Sequence, residues 1–155
     1  MTTKDKKFLS DSEIQALDSA FFDSYHESTC KVAVENFMND GELVTIIVGH
    51  SQGEARLTKV IKKDFTKEAP EIMSMIEDLD VTSYSFVSEG KMKDGNKKNK
   101  VPVIIISSHN KAGDSRTTIY RIVNRKNKKV TLFATGEQDD NAWNYLFVNR
   151  ERTLH

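Results

Sequence analysis

From Val81 onward the chain adopts a period of two and keeps it, and this alternation limits the fold more than any other feature. "VTSYSFVSE" sets Val81, Ser83, Ser85 and Val87 on one side, with Thr82, Tyr84, Phe86 and Ser88 on the other. "VPVIIISSHN", "SRTTIYRIV" and "VTLFATG" follow, each rich in β-branched residues and bounded by turn chemistry. Their joints are polar: Asn110-Lys111-Ala112-Gly113-Asp114, then "NRKNKK". The first joint, "KMKDGNKKNK", is longer and lysine-rich, with Asp94-Gly95 as its turn signal. Pro102 has no N–H to give a ladder, so it belongs at the beginning of its strand or on an edge. Strands joined so closely pair antiparallel, because a parallel pair needs a long crossover.

Upstream the period is helical. Ser10 or Asp11 can cap a helix with Glu13 in its first turn. Ile14, Leu17, Phe21, Tyr25, Ser28 and Val32 recur at three- and four-residue steps and predict one apolar stripe. One helix to Met38 and two helices broken near "HESTC" both fit, and Asn39-Asp40-Gly41 supplies the stop. Leu43 to Val48 reads as a strand. A second helix is expected with Thr66 as its cap, Pro70 in its first turn, a buried face of Ile72, Met73, Ile76 and Leu79, and Asp80 at its close. The class is therefore α+β: an N-terminal helix (or two), a β-hairpin, a second helix, then an antiparallel meander, with the helices packed on one sheet face. A length of 155 residues without repeats or low-complexity linkers predicts a single domain over 1–155.

Gly49-His50-Ser51-Gln52-Gly53 is a complete G-x-S-x-G after an apolar run. Small residues on both sides of a serine suit the strained nucleophile elbow between a strand and a helix. "GHSQGE" resembles the active-site serine motif of malonyl and polyketide acyltransferases, which would make Ser51 a nucleophile beside His50. The architecture points elsewhere. That motif belongs inside a long parallel α/β chain, whereas here only one helix and one strand precede it and hairpins follow. "EARLTKVI" alternates Ala55, Leu57 and Lys59 against Arg56, Thr58 and Val60, so a turn over His50-Ser51-Gln52-Gly53, with Gly53 able to take positive φ, would fold it back on Leu43–Val48. A helix over Glu54 to Asp64, with Leu57, Val60, Ile61 and Phe65 on one side, is the alternative. The hairpin is the expected arrangement, with no catalytic residue.

"TSYSFVSEGKM", and "VPVIIISSHNKAGDSRTTIYRIV" as two strands around a polar turn, resemble an uncharacterised group of small bacterial and phage proteins. The resemblance spans roughly Leu43 to Phe133. An aromatic residue that the group places just after Glu89 is replaced here by Gly90-Lys91. In that group a strand, turn and strand precede the second helix, which implies a turn at "GHSQG". The resemblance implies a fold and no activity.

Acidic and basic residues balance at 23 each, so no global field draws the chain to nucleic acid or membrane. No apolar run is long enough to span a bilayer, and the start has no apolar segment of a signal peptide. The lone Cys30 excludes an internal disulfide and fits a reducing compartment. A cytoplasmic or virion location is expected. His26, His50, His109 and His155 show no ligand spacing, so neither a metal nor another cofactor is expected. Lys91–Lys100 and Arg121–Lys129 are basic, and Lys97, Lys98, Lys128 and Lys129 are candidate nucleic-acid contacts, weak ones without interleaved aromatics. The simpler role for such lysines is to keep strand edges unpaired. Trp143, Tyr145 and Phe147 are candidate interface anchors near the C-terminus. The expected function is a non-catalytic interaction or assembly protein, of the phage-encoded kind that the resemblance includes, with a protein partner or a second copy. A serine hydrolase or acyltransferase and a nucleic-acid-binding accessory protein are the alternatives.

Overall fold

The computed structural model describes residues 10–62, 64–93 and 99–136. Helix α1 (Asp11–Asp40) is one unbroken helix of 30 residues. Ser10 caps it through a reciprocal box: its Oγ accepts from the Glu13 N–H, and the Glu13 carboxylate accepts from the Ser10 N–H. Gly41 ends it at φ 78, donating its N–H to Phe37 O at 2.7 Å. The helix buries Phe22, Tyr25, His26, Thr29, Cys30, Ala33 and Phe37. Those positions keep the three-and-four spacing but are rotated from the predicted stripe. Leu17, Phe21 and Val32 are exposed, at 37%, 37% and 48%. Hydrophobicity misplaces the stripe because His26 and Thr29 lie on the buried side.

Strands β1 (Ile46–Ser51) and β2 (Glu54–Val60) form the predicted hairpin, and α2 (Phe65–Asp78) follows. Then come β3 (Ser83–Lys93), β4 (Lys100–Asn110), β5 (Ser115–Asn124) and β6 (Lys129–Gly136). All six strands join one antiparallel sheet in the order β2-β1-β3-β4-β5-β6. Asp64, not Thr66, caps α2, its carboxylate accepting the Thr66 N–H at 3.1 Å. Pro70 consequently lies beyond the first turn, inside the helix. Ala69, Ile72 and Ile76 are buried and Met73 partly so, but Leu79 falls at the C-cap and is exposed.

The two helices serve opposite faces of the sheet, not one. Ile47, Leu57, Tyr84 and Phe86 pack with Ile72 and Ile76 of α2. Val87, Ile104, Ile106 and Ile122 pack with Cys30, Ala33 and Phe37 of α1. Phe86 and Val87 are consecutive in β3, so alternation sends them to opposite sides. The predicted alternation in β3 therefore holds, and both of its sides are filled. Val81 precedes the strand and packs with Tyr84 and Phe86, contrary to its expected side.

Candidate functional site

Ser51 ends β1, and Gln52 and Gly53 connect it directly to Glu54 of β2. Both turn residues have positive φ, 52° and 83°, as the tight I′ hairpin loop requires. The Gly53 N–H donates to the Tyr25 hydroxyl at 2.6 Å, which fastens the turn to α1. Gly49 has a different cause: a Cβ there would meet both Val81 Cγ atoms at 2.9 Å and Leu57 Cβ at 3.2 Å. Turn and packing thus account for both glycines of the motif. His50 stacks on Tyr25 of α1, with ring centroids 4.5 Å apart. Adjacent strand residues point to opposite faces, so the His50 ring is directed away from the Ser51 hydroxyl. Burial holds the His50 ring below its ordinary pKa, so it stays neutral near pH 7.

A serine–histidine contact does occur, but elsewhere. His26 Nδ1 lies 2.6 Å from Ser108 Oγ, and its Nε2 lies 2.7 Å from Thr118 Oγ1. Ser108 Oγ is also 2.6 Å from Ser85 Oγ, and Cys30 Sγ is 3.5 Å from His26 Nε2. His26 and Ser108 are 1% and 0% exposed. Burial, then the Arg116 charge and more weakly His109, lowers the His26 pKa to about 4, against an opposing pull from Asp23. A neutral ring with one donor and one acceptor nitrogen can satisfy both contacts. The network is sealed beneath α1 and anchors the helix to β4 and β5. Burial likewise raises the Cys30 thiol pKa, which makes it a poor nucleophile. Sequence reading missed this network because His26 stands in no motif and its partners are 82 and 92 residues away.

The basic joints between β3 and β4 and between β5 and β6 open at the same end of the sheet, as the registers Lys93↔Lys100 and Asn124↔Lys129 require. Two of their cations close the end of α1, which has no basic residue in its own last turn. Lys128 Nζ donates to Asn39 O at 2.9 Å, and Arg125 Nη1 donates to Gly41 O at 3.0 Å. Arg125 also forks onto Glu89 at 2.8 and 3.3 Å, and Glu89 accepts the Leu43 N–H at 2.6 Å. Lys129 is exposed at the start of β6. Lys97 and Lys98, and Trp143, Tyr145 and Phe147, lie outside the described residues.

A largely apolar groove lies between α1 and the β1–β2 hairpin. Ser28, Val32, Ala33 and Asn36 form its helical wall, and Ile46, Val48, His50, Ala55, Thr58 and Val87 its floor. Its volume is about 280 Å³. It lies where α1, packed over β3 and β4, touches the same face of the hairpin through Tyr25 at His50 and Gly53 and only borders the rest. Val32 and Ser28, members of the predicted apolar stripe, border the groove instead. His50, singled out as the companion of Ser51, contributes to this floor.

Among the described residues, no three His, Cys, Asp or Glu side chains converge as metal ligands, and no helix is long and apolar enough to cross a membrane. No protein-family model, curated protein or solved structure matches the chain.

Proposed function

We propose that this protein works by binding, without chemistry of its own, through the exposed flank of α1 beside the groove. The observation that carries this reading is the inverted use of the helix. α1 buries His26 and Thr29 while leaving Leu17, Phe21 and Val32 in solvent along the flank nearest the hairpin. Single exposed apolar residues are ordinary, but a line of them beside an apolar groove suits an interaction surface. A second copy of the chain, or another protein of the same assembly, resting on that flank would bury them. A cytoplasmic or virion location for that assembly belongs to the same proposal, supported by the lone Cys30, which fits a reducing compartment. The nucleic-acid reading is weakened where it can be followed, since Lys128 is engaged by α1.

Sedimentation and partner capture with the purified protein and Val32→Glu test the reading. Val32 is nearly half exposed, so the substitution should leave thermal stability unchanged. The expected result is self-association or a captured partner in the wild type and its loss in the variant. A monomer without partner, behaving identically with and without the substitution, overturns it.

A further inference from the structure

We infer that the groove between α1 and the β1–β2 hairpin is a site for a small, uncharged, largely apolar molecule bearing one hydrogen-bonding group. The inference rests on reading this face as a binding surface and adds what the groove itself takes. Charged residues make up 30% of the chain, yet among the described residues none lines the groove. Val32, Ala33, Ile46, Val48, Ala55 and Val87 supply apolar walls, while hydroxyls and the Asn36 amide are its other polar groups besides His50. A phosphate, carboxylate or ammonium group would lose its hydration there without gaining a counter-charge. An apolar cavity of about 150 Å³ takes up benzene, and this groove, at about 280 Å³, is almost twice that. Its size suits a fused pair of rings.

The polar end is marked by His50. His50 and Ser83 are paired across β1 and β3, Ser83 fully buried outside the lining, and neither His50 Nδ1 nor Ser83 Oγ has a hydrogen-bond partner among the described residues. Buried polar atoms of this kind normally have a partner, and leaving one unmade is costly. His50 Nδ1 is closed off, but the ring is 8% exposed and borders the groove, so a hydroxyl or amide N–H of the occupant meets the open edge of a neutral imidazole. Burial keeps the ring neutral, and no carboxylate among the described lining residues opposes it.

The test uses 2-naphthol as the probe and 2-naphthalenesulfonate as its charged counterpart, each titrated into the full chain and followed by methyl NMR. The expected result is saturable one-to-one binding of 2-naphthol that shifts the Val32, Ile46 and Val48 methyls, with the sulfonate at least about tenfold weaker, a loss of about 1.4 kcal/mol. His50→Phe keeps the stacked ring and removes the nitrogens, so affinity should fall about fivefold, as expected for one neutral hydrogen bond. Val32→Trp fills the groove from an exposed helical position and should abolish binding in a folded protein. Absence of saturable binding, equal binding of the sulfonate, or binding that survives Val32→Trp would each overturn the inference. If no probe binds but Val32→Glu still dissolves an assembly, the ligand falls and the protein-binding surface stands. If the assembly is also absent, both fall.

Discussion

His26 carries the largest pH-dependent energy that any one residue here can be assigned. Its pKa falls from the ordinary 6.5 to about 4 in the folded chain. The unfolded chain therefore takes up a proton near pH 6.5 that the folded chain refuses until about pH 4. Stability is fully present above pH 6.5 and is lost as the pH falls through that window. At about 1.4 kcal/mol per pH unit, the loss is about 3 kcal/mol by pH 4. Arg116 and His109 oppose the imidazolium, while Asp23 favours it. Urea unfolding at pH 7, 6 and 5 should show the decline, and His26→Gln should be less stable at pH 7 but decline less steeply, the remainder coming from His50, whose pKa burial also lowers. A wild type as stable at pH 5 as at pH 7 would remove this account. The glycines of the G-x-S-x-G can be tested in the same way. Gly49→Ala forces a Cβ against Val81 and should cost about 1–3 kcal/mol. Gly53→Ala puts a side chain at positive φ and should cost about 1–2 kcal/mol. Gly53 was legible as a turn residue from sequence. Gly49 was not, because its constraint comes from Val81, a residue remote in sequence.

At the level of elements, boundaries and period were mostly legible and the supports at helix ends were not. The capping box of α1 is written locally in Ser10 and Glu13, as is the stop at Gly41. The cations that satisfy its last carbonyls come from the β5–β6 joint, which no local pattern reveals. Arg125→Gln and Lys128→Gln should each lower stability by about 0.3–1 kcal/mol, with the smaller values at high salt because both groups are partly exposed. Denaturant midpoints in low and high salt decide this. Equal losses in both would point to packing of Arg125 on Phe37, whose ring centroid is 5.7 Å from the guanidinium carbon. Helix α2 offers a change of opposite sign. Pro70 lacks the N–H that would bond to Thr66 O, and its ring crowds that carbonyl. Pro70→Ala at this exposed position should raise the melting temperature, by an amount equivalent to about 1 kcal/mol or more. Placing the cap at Thr66 made this proline harmless in the sequence reading; the true cap, Asp64, moves it into the helix.

At the scale of the molecule, the sequence held a sign of two covered faces. "VPVIIISS" is a nearly continuous apolar run, and "SYSFV" is apolar at positions of both parities. Strands of that kind need cover on both sides. One sheet with α1 on one face and α2 on the other covers both sides of β3, and leaves the β1–β2 hairpin with a face that the flank of α1 borders. This arrangement separates the parts a serine enzyme would need to bring together. Ser51 stands at a strand-to-strand turn with His50 directed to the other face, and Ser108, which does have a histidine at 2.6 Å, is sealed under α1. A fluorophosphonate probe needs a serine activated by a base and open to solvent. Incubation of the native protein near pH 7.5, followed by intact mass and peptide mapping, should therefore show no adduct at either serine. An adduct at Ser108 alone would show that α1 opens readily from the sheet. A stoichiometric adduct at Ser51, abolished by Ser51→Ala, would return the chain to the hydrolase and acyltransferase reading and set aside the binding surface proposed for it.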